Sequence, residues 1–104
     1  MWTNPNPSAA FSSQSISLDL TGFAYIQVDF GQLINVPIGG DAYASTYNWV
    51  SGKGNLFIFR GITVSANRTA VSIGNAYLMG IGTSTTQESG NTEYLKPQAI
   101  YGIY

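Results

Sequence analysis

The chain contains no cysteine and no histidine, and charged residues are scarce. Without cysteine there is no disulfide framework and no thiolate metal site. Without histidine the commonest general base, the commonest metal ligand and the side chain that titrates near neutral pH are all missing. Asp, Glu, Lys and Arg make up only 9% of the 104 residues, against about 25% in ordinary globular domains. The 4 cations and 5 anions offer no basic patch able to release counterions from phosphates, so nucleic-acid binding is not expected. No apolar run reaches membrane-spanning length, and the first residues show neither a basic n-region nor an apolar h-region, so membrane insertion is not expected either. The hydrophobic fraction is an ordinary 44%; Ser, Thr, Asn, Gln and Gly therefore stand where charges usually stand. A lone soluble domain keeps a charged surface. This composition suits either a neutral polar surface or one hidden against sister subunits.

The length allows one hydrophobic core, and no linker or internal repeat divides residues 1–104. Strong helix formers are few, and no stretch repeats apolar residues at helical spacing over three turns. Alternation with period two recurs instead. It places Ile16, Leu18 and Leu20 on one face of 14–20, and Ile26, Val28 and Phe30 on one face of 24–30. A short strand over 33–38 carries Pro37, which suits a sheet edge, and Gly39-Gly40-Asp41 ends it. Over 43–50, Tyr43, Ser45, Tyr47 and Trp49 alternate with Ala44, Thr46, Asn48 and Val50. Ser51-Gly52-Lys53-Gly54 reads as a hairpin turn.

Residues 55–65 put Leu56, Ile58, Arg60, Ile62 and Val64 on one face and Phe57, Phe59, Gly61 and Thr63 on the other, with Gly61 a candidate bulge or close approach. Ala66-Asn67-Arg68 is a tight turn, and Asn67-Arg68-Thr69 matches a glycosylation sequon. Strands follow over 69–73 and 76–81, joined at Gly74-Asn75, and over 98–104; 82–92 holds no apolar residue and is expected to be a long exposed loop. About eight short strands with Gly-rich turns predict an all-β fold, an antiparallel two-sheet β-sandwich, jelly-roll-like, with a single barrel as the alternative.

Catalytic signals are weak. Nucleophilic catalysis needs a base beside the nucleophile, and the lysines, Lys53 and Lys96, fall in turns. Asp19 and Asp29 could approach each other as a glycosidase pair, but both suit solvated faces or turn acceptors. Asp41 stands alone, and a cation site between Glu88 and Glu93 has no further support. No catalytic residue, metal or cofactor is assigned.

A binding site is better supported. Tyr43, Tyr47 and Trp49 share a strand face, with Asp41 and Asn48 close by. Sugars stack an apolar ring face on an aromatic while Asp and Asn take their hydroxyls, so these residues form a candidate saccharide site. The same aromatics would equally serve as sandwich core or as a subunit interface. Arg60 sits mid-strand among aliphatics, where a charge needs a partner. A structural ion pair with Asp29 is expected; a bulge at Gly61 turning it outward, or a role anchoring a phosphate, are the alternatives.

The order of segments also carries a resemblance. Trp2-Thr3-Asn4-Pro5-Asn6-Pro7 opens the chain, followed by Ile16-Ser17-Leu18-Asp19-Leu20 and Tyr25-Ile26-Gln27-Val28. Phe59-Arg60-Gly61-Ile62-Thr63-Val64 then leads into Val71-Ser72-Ile73-Gly74, and Pro97 precedes a final Ile100-Tyr101-Gly102-Ile103. In this order the segments resemble the C-terminal head or tip domain of tail appendages from phages and prophages of Gram-positive bacteria. The resemblance implies a receptor-binding module rather than an enzyme: a homotrimer at the virion tail tip, extracellular when acting, held by an upstream stalk or baseplate protein and directed at host cell-wall saccharide. Residues 1–12 would be the lead-in from that stalk, and the strand at the end would close a terminal module. A structural domain that caps and registers a trimeric fibre is the alternative.

Overall fold

The computed structural model describes residues 1–50, 54–80 and 87–104, with the side chains of Asn48, Val50 and 87–89 excepted. Every regular element among them is a strand. In chain order these are β1 (Trp2–Thr3), β2 (Gln14–Ser17), β3 (Tyr25–Asp29), β4 (Leu33–Pro37), β5 (Asp41–Val50), β6 (Gly54–Val64), β7 (Ala70–Ile73), β8 (Ala76–Gly80), β9 (Gln87–Asn91) and β10 (Ala99–Ile103). All pairings are antiparallel. They build a sandwich of two sheets. One is four-stranded, ordered β1-β10-β3-β4; the other is six-stranded, ordered β2-β7-β6-β8-β9, with β5 on the free side of β6.

The expected alternation drives this arrangement. In β3, Ile26 and Val28 are fully buried, while Tyr25, Gln27 and Asp29 alternate with them at half-burial. In β6, Leu56, Ile58, Arg60 and Ile62 are fully buried. Ile26, Val28, Val36 and Ile100 from the four-stranded sheet meet Ile62, Val64, Val71 and Ile73 from the six-stranded one, with Phe11 and Leu20 filling in. A second, smaller cluster of Leu56, Ile58, Ala76 and Leu78 is closed by Tyr94 and Leu95. Pro37 does sit on an edge, since β4 pairs only with β3. The body is elongated, 47 × 25 × 19 Å.

The bulge lies across from Gly61 rather than at it. β6 pairs Phe59 with Tyr77 and Ile62 with Ile73. Arg60 and Gly61 therefore face Gly74, Asn75 and Ala76, one residue too many. β7 and β8 are in effect one strand interrupted by that extra residue, and Gly74 N donates to Gly61 O at 3.0 Å. The Asn75 side chain uses the break: its Oδ1 accepts from Ser13 N at 2.6 Å, which ties the run into β2 to the bulge.

One segment differs from expectation, and another packs more closely than its composition suggests. Part of the polar stretch 82–92, read as loop, forms β9 and pairs with β8; residues 82–86 lie outside the described part, as do turn residues 51–53. The segment 1–12, read as a lead-in, is built into the sandwich. Trp2 and Thr3 pair with Ile100 and Ala99. Asn4 is buried, and its Nδ2 donates to Pro97 O at 2.8 Å. Phe11 is buried against the core, with Trp2 edge-on to its ring at 6.2 Å. Aromatic burial at both ends of this segment outweighs the extended, polar look of its Pro-Asn run.

Candidate binding face

β5 and β6 form a hairpin in unbroken register from Asp41↔Thr63 to Val50↔Gly54. Because side chains alternate, the odd residues of both strands share the outer face of the six-stranded sheet. Tyr43 stands across from Gly61, Ser45 from Phe59, Tyr47 from Phe57 and Trp49 from Asn55. β8 extends the face, placing Tyr77 beside Phe59 and Met79 beside Phe57. The result is a continuous aromatic surface. Tyr43, Tyr47 and Trp49 are 64%, 60% and 65% exposed, and Phe57 and Met79 remain 38% and 37% exposed.

Ring contacts order this surface. Phe59 is its hub, edge-on to Tyr43 at 5.9 Å, tilted against Phe57 at 5.7 Å and against Tyr77 at 5.0 Å. Such pairs are worth about 0.5–1.5 kcal/mol each beyond area burial. Gly61 makes room for the Tyr43 ring: a Cβ there would sit 3.4 Å from Tyr43 Cε1. A shallow open depression of about 290 Å³ lies between Tyr43, Ser45, Phe57 and Phe59. Asp41 is exposed at the start of β5. Asn48 pairs with Leu56 in register, and its side chain lies outside the described part.

Tyr47 and Trp49 are thus not sandwich core, the commonest fate of such aromatics. Sequence reasoning did not assign Phe57, Phe59, Tyr77 and Met79 to the site. The turn as read from the sequence, 51–54, would pair Val50 with Asn55 and set Ile58 across from Tyr47; the observed register pairs Val50 with Gly54 and so brings Phe57 there instead. Tyr77 and Met79 reach the face only through the β6–β8 pairing, which no local pattern announces.

Arg60 and Asp29 do not form the expected pair. Arg60 is fully buried on the inner face. Its Nε donates to Tyr94 O at 2.9 Å, and its Nη1 donates to Phe11 O at 2.8 Å and Gly74 O at 3.0 Å. The guanidinium also lies 5.7 Å from the Phe11 ring centroid. Burial pulls its pKa down to about 10, still far above neutrality, so the group stays charged and is held by main-chain carbonyl dipoles. Asp29, in the other sheet, uses Oδ1 to accept from Gly31 N at 2.8 Å. The partner was unreadable because carbonyls brought in by Phe11, Gly74 and Tyr94 leave no mark on residue type. Asp19 likewise caps a turn, accepting from Thr21 N at 3.1 Å, and its Thr21 hydrogen bonds lower its pKa from the usual value. Among the described residues no three Asp, Glu, His or Cys side chains cluster as a metal site would require.

No family model, curated protein or solved structure matches the chain.

Proposed function

We propose that the protein is a receptor-binding head of a phage or prophage tail appendage, acting outside the host cell at the tail tip, and that it recognises host cell-wall saccharide through the outer face of β5, β6 and β8. The observation that carries this reading is the joint exposure of Tyr43, Tyr47 and Trp49 on one sheet face. Their rings supply apolar platforms for sugar faces. The two Tyr hydroxyls, Trp49 Nε1, Ser45 and Asp41 supply hydrogen-bond partners for sugar hydroxyls. A shallow site of this kind binds weakly alone. Three heads in a homotrimer, carried by a stalk or baseplate protein, would multiply that affinity without new contacts. The segment order that resembles tail-appendage heads supplies the biological setting.

The test is sedimentation of the purified protein with cell walls from a panel of Gram-positive bacteria. Binding to at least one wall is expected, and the double substitution Tyr47→Ala, Trp49→Ala should abolish it while the melting temperature holds. Failure to bind any wall would sink the reading.

One observation favours a second reading, that the domain caps and registers a trimeric fibre. Phe57, Phe59 and Met79 offer no strong hydrogen-bonding group, as residues at a subunit interface often do not. Light scattering that finds a trimer, dissociated by Phe57→Ser with Met79→Ser, would favour that role.

A further inference from the structure

We infer that the saccharide this face takes is an uncharged, extended glycan, lying along β5 and held through several consecutive sugar rings in the interior of its chain. This rests on the reading of the face as a saccharide site and specifies its ligand.

The shape of the face comes first. The depression of about 290 Å³ is open and lined by only four residues. Pockets that engulf a ligand run to roughly 300–1,000 Å³ and enclose most of its surface. A terminal sugar would find no enclosure here, so affinity has to be gathered along a row. The row exists. Tyr43, Tyr47 and Trp49 lie on one side of one strand. At about 3.3–3.4 Å per residue, Tyr47 and Trp49 are about 7 Å apart and the row from Tyr43 to Trp49 spans about 20 Å. That is room for several pyranose rings in line.

The rim of the row is polar in a matching way. Ser45 O accepts from Gln32 Nε2 at 2.7 Å, so Ser45 turns its carbonyl away from β6. By the alternation of antiparallel strands, Tyr47 and Trp49 turn their main-chain N–H and C=O groups toward the same free edge. These groups can bond sugar hydroxyls along the line the rings define.

Charge decides the ligand's chemistry. The outward residues of β5, β6 and β8 are Asp41, Tyr43, Ser45, Tyr47, Trp49, Asn55, Phe57, Phe59, Gly61, Thr63, Tyr77 and Met79. Among these described residues the single charge is the carboxylate of Asp41, at one end. Among the described outward residues of these strands, a phosphate-bearing or uronic-acid polymer would meet no cation and one anion. A neutral chain brings no charge to desolvate against such a face, and the cost of desolvating its hydroxyls is met where they find hydrogen-bond partners along the rim.

The experiment is calorimetric titration of the full chain with size-graded oligomers, monomer to octamer, of a neutral glucan, a rhamnan and an N-acetylglucosamine polymer, beside a glycerol-phosphate teichoic acid. Affinity for at least one neutral series should rise about tenfold from dimer to tetramer, as each further ring gains an aromatic contact, and should hardly change from low to high salt. Tyr43→Ala should remove the gain for long oligomers and spare the dimer. Equal affinity for monomer and octamer would overturn the inference, as would teichoic acid binding that salt abolishes or wall binding with no response to any neutral oligomer. Each of these leaves the reading of the protein as a wall-binding, receptor-recognising module standing. A protein that binds neither walls nor oligomers overturns that reading itself.

Discussion

The two faces of the six-stranded sheet are built from the same strands and to opposite ends. Along β6, Leu56, Ile58, Arg60 and Ile62 are fully buried and Val64 is 1% exposed, while Phe57 between them is 38% exposed. Inside, the side chains apart from Arg60 are aliphatic and mostly β-branched; outside, the large apolar ones are aromatic. Burial against the four-stranded sheet accounts for the inner set, because removing its apolar area from water is what folding gains. Ring contacts with Phe59 account for only part of the outer set, since Tyr43 and Phe57 make them and still stay 64% and 38% exposed. Tyr43, Tyr47, Trp49, Phe57 and Met79 leave on the order of 500–600 Å² of side chain in water, taking about 200 Å² for each fully exposed large side chain. That is the upper end of the largest patch a monomer ordinarily shows. The outer face of the four-stranded sheet is different again: there Tyr101, 44% exposed, stands in a row with Gln27 and Asn35. Exposed aromatics occur elsewhere too, Tyr101 at 44% and Tyr104 at 88%, but only on the outer face of β5, β6 and β8 do the described residues form a contiguous group of them, and that face is where contact with something else is to be sought.

The contrast breaks most visibly at Arg60. Replacing it with Ala removes the donors to the carbonyls of Tyr94, Phe11 and Gly74 and opens a void among aliphatics. A loss on the order of 3–5 kcal/mol is expected in urea unfolding. Arg60→Met, which fills space but donates nothing, should lose less. A loss below about 1 kcal/mol for Arg60→Ala would mean that the guanidinium does not tie these segments together.

The next test compares neighbours in β8. Leu78 is fully buried and faces inward; Met79 is 37% exposed and faces outward. Leu78→Ala should cost about 2–5 kcal/mol and Met79→Ala less than about 1 kcal/mol. Equal costs would show that the outer face is covered in solution, the outcome the trimer-capping reading requires.

Much of this division was legible in the residues. Period-two alternation assigned Ile26, Val28, Leu56, Ile58, Ile62 and Val64 to the interior and set Tyr43, Tyr47 and Trp49 on one face, because a strand's pleat fixes which neighbours share a side. It could not say which face of β5 was wet, since a sandwich core and an exposed platform use the same alternation. β9 was hidden for a related reason. Gln87–Asn91 has no apolar residue, so no hydrophobic alternation marks it as the strand that pairs antiparallel with β8. Arg60 was correctly placed among aliphatics and given the wrong partner, because residue-level reasoning looks for a carboxylate and cannot see carbonyls that a bulge and two distant segments deliver.

The finest test lies within the outer face. Phe59 contacts Tyr43, Phe57 and Tyr77 and forms the floor of the depression. Phe59→Leu keeps an apolar side chain on the strand but ends the ring contacts. A destabilisation of about 0.5–1.5 kcal/mol is expected in thermal or urea unfolding, because the loss is one of ring geometry rather than of burial. The informative quantity is how binding changes beside it. If the rings work as one surface, Tyr43 loses the edge contact that sets its tilt, and affinity for long neutral oligomers should fall several-fold although Phe59 need not touch the sugar. If affinity holds while stability drops, Tyr43, Tyr47 and Trp49 act as separate platforms and the packing beneath them serves the fold alone.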